Sequence, residues 1–174
     1  CYAAGPSWIY QSYWTRVVDI KAMSKASLPD SELNLIQFTD SENQTVSIAD
    51  LVRERSGLVI LTSNTHSVIV TELCARLRDN MKIFRSLNTE VILVSQEAPE
   101  ALQAYKASHN LNFTLLSDTN RSVYSLDHLS DYKKETVVVL IYNQDVKAQV
   151  IDTITTATQE IPLNDWMRSL VKLA

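Results

Sequence analysis

The sequence predicts an α/β fold, a mixed central β-sheet covered by helices on both faces. Three observations carry this. From Glu32 onward, short β-rich apolar runs alternate with stretches of helical periodicity. Gly57-Leu58-Val59-Ile60-Leu61-Thr62 is a nearly continuous apolar run, as expected of a central strand buried on both faces. Thr136–Tyr142 and Val146–Asp152 are two β-rich runs split by Asn143-Gln144-Asp145, a tight turn that places antiparallel strands beside a βαβ arrangement. The 174 residues suit one domain with a short remainder, so the chain divides into an N-terminal arm and linker, residues 1–31, and a globular domain, residues 32–174.

Each element has a local reason. Leu33-Asn34-Leu35-Ile36-Gln37-Phe38 reads as a strand, and the polar turn Asp40–Gln44 joins it to Thr45–Ile48 as a hairpin. Ser47 is placed to cap a short helix running to Arg53. Across Ser67–Leu87, Val70, Leu73, Leu77, Met81 and Phe84 recur at three- and four-residue spacing, while Glu72, Arg76, Asp79 and Lys82 occupy the opposite side, so one long amphipathic helix is expected. Glu90–Ser95 is a buried strand, Pro99–Ser108 a helix with proline in its first turn, and Asn112–Leu116 a short strand. Leu163–Leu173 closes the chain as an amphipathic helix.

Composition narrows the functions. Sixteen basic against twenty acidic residues give a net charge of −4, a poor balance for a phosphate backbone, so no nucleic-acid partner is expected. The only glycines are Gly5 and Gly57, which cannot write a glycine-rich nucleotide cradle. Cys1 and Cys74 make no disulfide framework, and His66, His109 and His128 are scattered, so neither a metal nor another cofactor is expected. His109 falls at a helix end and His128 in a loop, where an imidazole is ordinarily solvated. No run approaches the roughly 20 apolar residues of a spanning helix.

The N-terminus has its own character. Cys1 is what remains when a bacterial lipoprotein signal is cleaved, although any trimmed chain could begin on the same letter. Tyr2, Trp8, Ile9, Tyr10, Tyr13 and Trp14 crowd the first fourteen residues. Tyrosine and tryptophan suit a membrane–water interface or a partner's groove, and equally an arm folded back on its own domain. Ser24–Ser31 then reads as a linker, with Pro29 preventing regular pairing.

Several segments together are similar to a known family. Phe38-Thr39-Asp40 with Val46-Ser47-Ile48-Ala49-Asp50-Leu51, Thr71-Glu72-Leu73-Cys74 with Arg78-Asp79-Asn80, Glu90–Ser95, and Phe113-Thr114-Leu115-Leu116-Ser117-Asp118 follow one another in the order and spacing of peroxiredoxins. These form the alkyl hydroperoxide reductase/thiol-specific antioxidant family, and the match resembles its bacterioferritin-comigratory, or Q-type, branch over Leu33–Asp152. The resemblance implies a thioredoxin-like fold. It also implies a thiolate at the start of the long helix, in a loop patterned Pro-x-x-x-Thr-x-x-Cys, with an arginine from a later strand. The helix terminus and arginine lower the thiol pKa, and the threonine and backbone donors orient the peroxide.

Anchored on Thr71-Glu72, the pattern puts Ile69 at the nucleophile, Thr62 at the proline and His66 at the threonine. No cysteine lies between Gly57 and Leu73, and no arginine between Arg121 and Arg168. Lys134 stands near the arginine's place, but an ammonium cannot reproduce a planar fork. Cys74 matches the resolving cysteine of Q-type enzymes, and two readings are open: a buried thiol packing as a small hydrophobe, or a redox or mixed-disulfide group. Its position beside Leu73 and Leu77 predicts burial and slow reaction. No cysteine or serine–carboxylate set accompanies His66 in its loop, and it reads as a loop polar residue.

The expectation from these departures is a chain that is not an enzyme: an inactive peroxiredoxin-like accessory or scaffolding subunit, attached through its N-terminal arm to a membrane or a larger membrane-bound complex. If Cys1 is a lipoprotein terminus, the location is extracytoplasmic. Two alternatives stand beside it. One is a divergent thiol oxidoreductase working through Cys74, the other a small-ligand module using the former peroxide pocket, lined by Ile69 and His66.

Overall fold

A computed structural model describes residues 33, 36–120, 122–123, 137–143, 148–154 and 160–173. The arm with Cys1, Trp8, Ile9, Tyr10, Tyr13 and Trp14, the linker Ser24–Ser31, and His128 and Lys134 lie outside the described residues.

The strands are β1 (Phe38–Asp40), β2 (Thr45–Val46), β3 (Ser56–Leu61), β4 (Thr89–Ser95), β5 (Thr114–Ser117), β6 (Val137–Tyr142) and β7 (Ala148–Ile154). The helices are α1 (Ile48–Val52), α2 (Val68–Asp79), α3 (Met81–Ser86), α4 (Pro99–Ser108) and α5 (Leu163–Leu173). One sheet runs in the order β2-β1-β5-β4-β3-β6-β7. The central strands β3, β4 and β5 are parallel, whereas β1 on β5, β6 on β3 and β7 on β6 are antiparallel. The expected mixed sheet is present, with parallel strands joined through helices and antiparallel strands toward both edges.

Period-two alternation divides the core. Leu58 and Ile60 of β3 face a cluster completed by Val70, Leu73 and Leu77 of α2, Phe84 of α3, Leu102 of α4 and Trp166 of α5. Val59 and Leu61 face the other way, against Ile48 and Val52 of α1, Phe38 and Leu33. Both sheet faces are thus covered, which is why the β3 sequence has no polar alternation. Gly57 marks where α1 comes closest: a Cβ there would sit 2.8 Å from Val52 Cγ2 and 3.3 Å from Tyr142 Cβ.

Four details correct the sequence reading. The helix expected over Ser67–Leu87 is two helices, broken at Asn80, whose φ of −111° and ψ of 11° leave the helical region and whose Nδ2 donates to the Arg76 carbonyl at 2.7 Å. Its apolar stripe continues through Met81 and Phe84 into the same core, which hides the break from periodicity. The strand placed at Leu33–Phe38 begins only at Phe38, because Ile36 N–H donates to the Leu33 carbonyl in a turn. The hairpin turn expected after β1 is present and is held by Asp40 Oδ1, which accepts from the backbone N–H groups of Glu42 and Gln44. Finally, β5 starts at Thr114 and not at Asn112, and β7 runs on to Ile154, past the expected end at Asp152.

Candidate functional site

The parallel strands β3 and β4 end side by side, and open α/β sheets place their sites at such carboxyl ends. The segment 62–67 leaves β3 for α2, and the segment 96–98 leaves β4 for α4. Thr62 is buried, its N–H donating to the Val94 carbonyl at 2.9 Å and its Oγ1 to the Asn64 carbonyl at 2.9 Å. Asn64 Oδ1 accepts from His66 N–H at 2.8 Å. Ser67 caps α2 by accepting from Val70 N–H at 3.2 Å. The loop that follows β3 is therefore hydrogen-bonded at successive residues.

The charged centre of this region comes from the second loop. Glu97 Oε1 accepts from Thr65 N–H at 3.0 Å, Thr65 Oγ1 at 2.8 Å and Ser95 Oγ at 2.9 Å. Its Oε2 stands 3.0 Å from His66 Nε2. The Glu97 carboxylate is 14% exposed and the imidazole 83%, so a largely buried anion orients a solvent-facing ring. The Glu97 backbone carbonyl accepts from Ser117 Oγ, which ties β5 to the same point. Hydrogen bonds to a carboxylate are the stronger class.

Behind the loop lies the thiol. Cys74 is wholly buried on α2 among Val70, Leu73 and Leu77. Burial pushes it up to about 12, with a hydrogen bond from Tyr105 pulling the other way. Tyr105 Oη and Thr71 Oγ1 are hydrogen-bonded at 3.4 Å, so the α4 phenol meets α2 one turn before Cys74. Burial pushes Tyr105 up to about 12 as well, and the neighbouring Cys74 and Glu97 add to it. The Tyr105 ring rests on His109, centroids 4.2 Å apart.

Of the site residues expected from sequence, Thr62, His66, Ile69 and Cys74 are described. Thr62 and His66 share the loop, Ile69 packs against the core on the α2 face, and Cys74 is buried as expected. His66 is an exposed loop residue, and its carboxylate partner comes from a different loop. One histidine expectation is corrected. His109 is half-buried, with Nδ1 3.1 Å from the Tyr105 carbonyl, and is not a simply solvated imidazole. Sequence reasoning missed Glu97 and Tyr105. The available signal for Glu97 was an acid placed directly between a buried strand and a helix opened by Pro99. Among the described residues no three metal-ligating side chains stand together, and no helix is long and apolar enough to cross a membrane.

Comparison with known proteins agrees with this architecture. The AhpC/TSA family model matches residues 25–126. Peroxiredoxin Bcp of Escherichia coli K12 is 31% identical over 99 residues, covering 57% of this chain and 56% of the relative. A putative peroxiredoxin of Mycobacterium tuberculosis is 28% identical over 95 residues, covering 55% of this chain and 60% of the relative. The match thus spans little more than half the length of these curated relatives. Among solved structures, peroxiredoxin Q of Xanthomonas campestris superposes with a TM-score of 0.68 at 10% identity, covering 82% of this chain and 93% of the other. Peroxidoxin BcpB of M. tuberculosis superposes with a TM-score of 0.65 at 13% identity, covering 79% and 91%. At such identities the likeness shows the fold.

These findings overturn one expectation. The chain was expected not to be an enzyme because Thr62, His66 and Ile69 depart from the loop pattern, yet its relatives and structural neighbours are peroxiredoxins, which are enzymes. The physical reason is that residue identities at aligned positions do not report the donors, acceptors and thiols that other segments bring to a site, as Glu97 and Tyr105 do here. By its matched sequence and thioredoxin-like architecture, the chain belongs to the AhpC/TSA family.

Proposed function

We propose that this chain is a thiol oxidoreductase of the peroxiredoxin kind, reducing hydroperoxides with Cys74 as its reactive sulfur. One observation carries the reading: a cysteine buried on the helix that leaves the candidate loop, one turn beyond the Thr71 hydroxyl that Tyr105 of the facing helix meets. Family membership supports it, as does the alkyl peroxide reduction activity named for the bacterioferritin comigratory protein of X. campestris. The Cys74 thiolate attacks one peroxide oxygen, the O–O bond breaks, and the other oxygen leaves as an alcohol or water after taking a proton from solvent. Cys74 becomes a sulfenic acid. A low-molecular-weight thiol condenses with it, releasing water and forming a mixed disulfide, and a second such thiol regenerates Cys74.

With its pKa near 12, the closed thiol is ionised in only about one molecule in 10⁵ at pH 7, so the reaction belongs to an opened state in which Cys74 meets water. The test is incubation of the full chain with hydrogen peroxide and with an organic hydroperoxide in the presence of a sulfenic-acid trap, read by mass spectrometry. Trapping on Cys74, peroxide consumption lost in Cys74→Ser, and consumption kept in Cys1→Ser are expected. Consumption unaffected by Cys74→Ser would refute the assignment. The aromatic arm supports a second element of the reading, attachment of Cys1–Trp14 to a membrane or membrane-bound complex. Deleting residues 1–14 is expected to leave the melting temperature unchanged and to abolish sedimentation with membranes, whereas an unfolded domain would overturn that role.

A further inference from the structure

Where α2 gives way to α3, the chain turns basic. The stretch Arg76–Leu87 holds Arg76, Arg78, Lys82 and Arg85 against one acid, Asp79, in a chain whose net charge is −4. Arg78, Lys82 and Arg85 recur at the same four- and three-residue spacing as Leu77, Met81 and Phe84, one position further on. Because that apolar stripe stays in one core across the break at Asn80, the basic stripe beside it keeps to one side of the molecule. Two hydrogen bonds bring its ends together. Arg78 Nη1 donates to the His109 carbonyl at 2.9 Å and Arg85 Nη2 to the Asn112 carbonyl at 3.1 Å, both in the loop from α4 to β5. A carbonyl orients a guanidinium and leaves its charge in place. Arg78 also meets the exposed Asp79 carboxylate at 2.9 Å, whereas Lys82 and Arg85 are exposed and pair with no acid among the described residues. The next acid along the chain, Glu90, is engaged by Arg55 at 3.0 Å. Between the two unneutralised cations stands Ile83, 46% exposed. Cations flanking an exposed apolar side chain have the makeup of a surface that rests on lipid headgroups.

We propose that this corner, Arg78, Lys82, Ile83 and Arg85, is the face the domain lays against an anionic phospholipid bilayer, the cations meeting phosphate and Ile83 entering the headgroup layer. It deepens the attachment proposed for Cys1–Trp14 and rests on that reading for its setting. The tyrosines and tryptophans of the arm favour a bilayer over an acidic protein as the partner. Leu33, where the described domain begins, packs on the other side of the sheet. The eighteen residues from Thr15 to Glu32 can span up to about 60 Å, enough for the arm and the corner to reach one membrane.

The experiment is sedimentation of the full chain with vesicles of phosphatidylcholine alone and with vesicles in which about a third of the lipid is phosphatidylglycerol. Wild type is expected to bind the anionic vesicles more tightly, with a preference that shrinks as salt rises. Lys82→Glu changes an exposed side chain and is expected to weaken anionic binding about fivefold or more. Adding Arg85→Glu is expected to bring the loss to about twenty-fivefold or more, and neither variant changes binding to neutral vesicles. Arg53→Glu makes the same change of net charge as Lys82→Glu at an exposed position beside α1, across the sheet, and is expected to stay within about twofold of wild type. An anionic preference that Arg53→Glu reduces as much as Lys82→Glu, or that survives the double variant, overturns the corner. So does binding of soluble polyglutamate without binding of anionic vesicles, which would make it a face for an acidic protein. Binding to neutral vesicles with no anionic preference keeps the arm reading and overturns the corner. A preference lost in the double variant, with no binding to neutral vesicles, keeps the corner and refutes the arm.

Discussion

Holding a thiol protonated inside the fold has a thermodynamic consequence that can be measured apart from any activity. Burial raises Cys74 from the ordinary 9.0 to about 12, so between those values the folded chain keeps a proton that the unfolded chain has released. The unfolded state then binds fewer protons than the native state, and stability falls as pH rises. The contribution is intact below pH 9, and its loss is complete only above about pH 12. For one group with these two values, the loss between pH 8 and pH 10 is about 1.4 kcal/mol, a large fraction of the stability of a small domain. The comparison is wild type against Cys74→Ala, unfolded by urea at pH 8 and pH 10 and followed by far-ultraviolet circular dichroism. Removing the sulfur leaves a small cavity, whose cost is the same at both pH values and cancels in the difference. Ionisation of Tyr105 is present in both proteins and cancels likewise to first order. Wild type is expected to lose about 1.4 kcal/mol more than Cys74→Ala over this interval. Equal losses in the two proteins would show that the thiol is not held protonated, and with that the need for an opened state would disappear.

Two further outcomes test the frame on which the site is built. Gly57→Ala forces a methyl group to within 2.8 Å of the buried Val52 and 3.3 Å of Tyr142, and is expected to cost about 1–3 kcal/mol in urea unfolding at pH 7. Trp166→Phe removes the Nε1 donor that meets Asp152 Oδ2 at 3.0 Å between α5 and β7, and is expected to cost about 1–2 kcal/mol in the same urea unfolding.

Much of the fold was legible because burial on two faces leaves a plain mark. Leu58-Val59-Ile60-Leu61 could only be a strand with both sides covered, and Pro99 dictated where α4 begins. Ser47, one of the best capping residue types, stood directly before the short apolar run of α1. The break at Asn80 was illegible for an equally physical reason. Core packing selects which residues face the sheet, and Leu77, Met81 and Phe84 face it whether or not the backbone between them stays helical. Periodicity reports the face and not the hydrogen bonds. The start of β1 was lost similarly: Leu33 is buried and apolar, but it packs on the α1 face ahead of a turn and not in a ladder.

One side of the candidate region was legible in the sequence and the other was not. Thr62, His66, Ile69 and Cys74 fall on one loop and the helix after it, so sequence proximity was enough to collect them. Glu97 lies thirty-two residues from Thr65, and its partners there are a backbone amide and a hydroxyl, groups that carry no motif. Tyr105 lies thirty-four residues from Thr71 and meets it only because β3 and β4 run parallel, which puts the helices that follow them on one side of the sheet. Departures at aligned positions therefore count what one loop has lost and are blind to what a neighbouring loop contributes. A histidine read as a lone polar residue becomes, with Glu97 behind it, an imidazole of fixed orientation at the carboxyl edge of the sheet. A cysteine read as a small hydrophobe is indeed buried in the core, and burial holds its thiol well above the ordinary range.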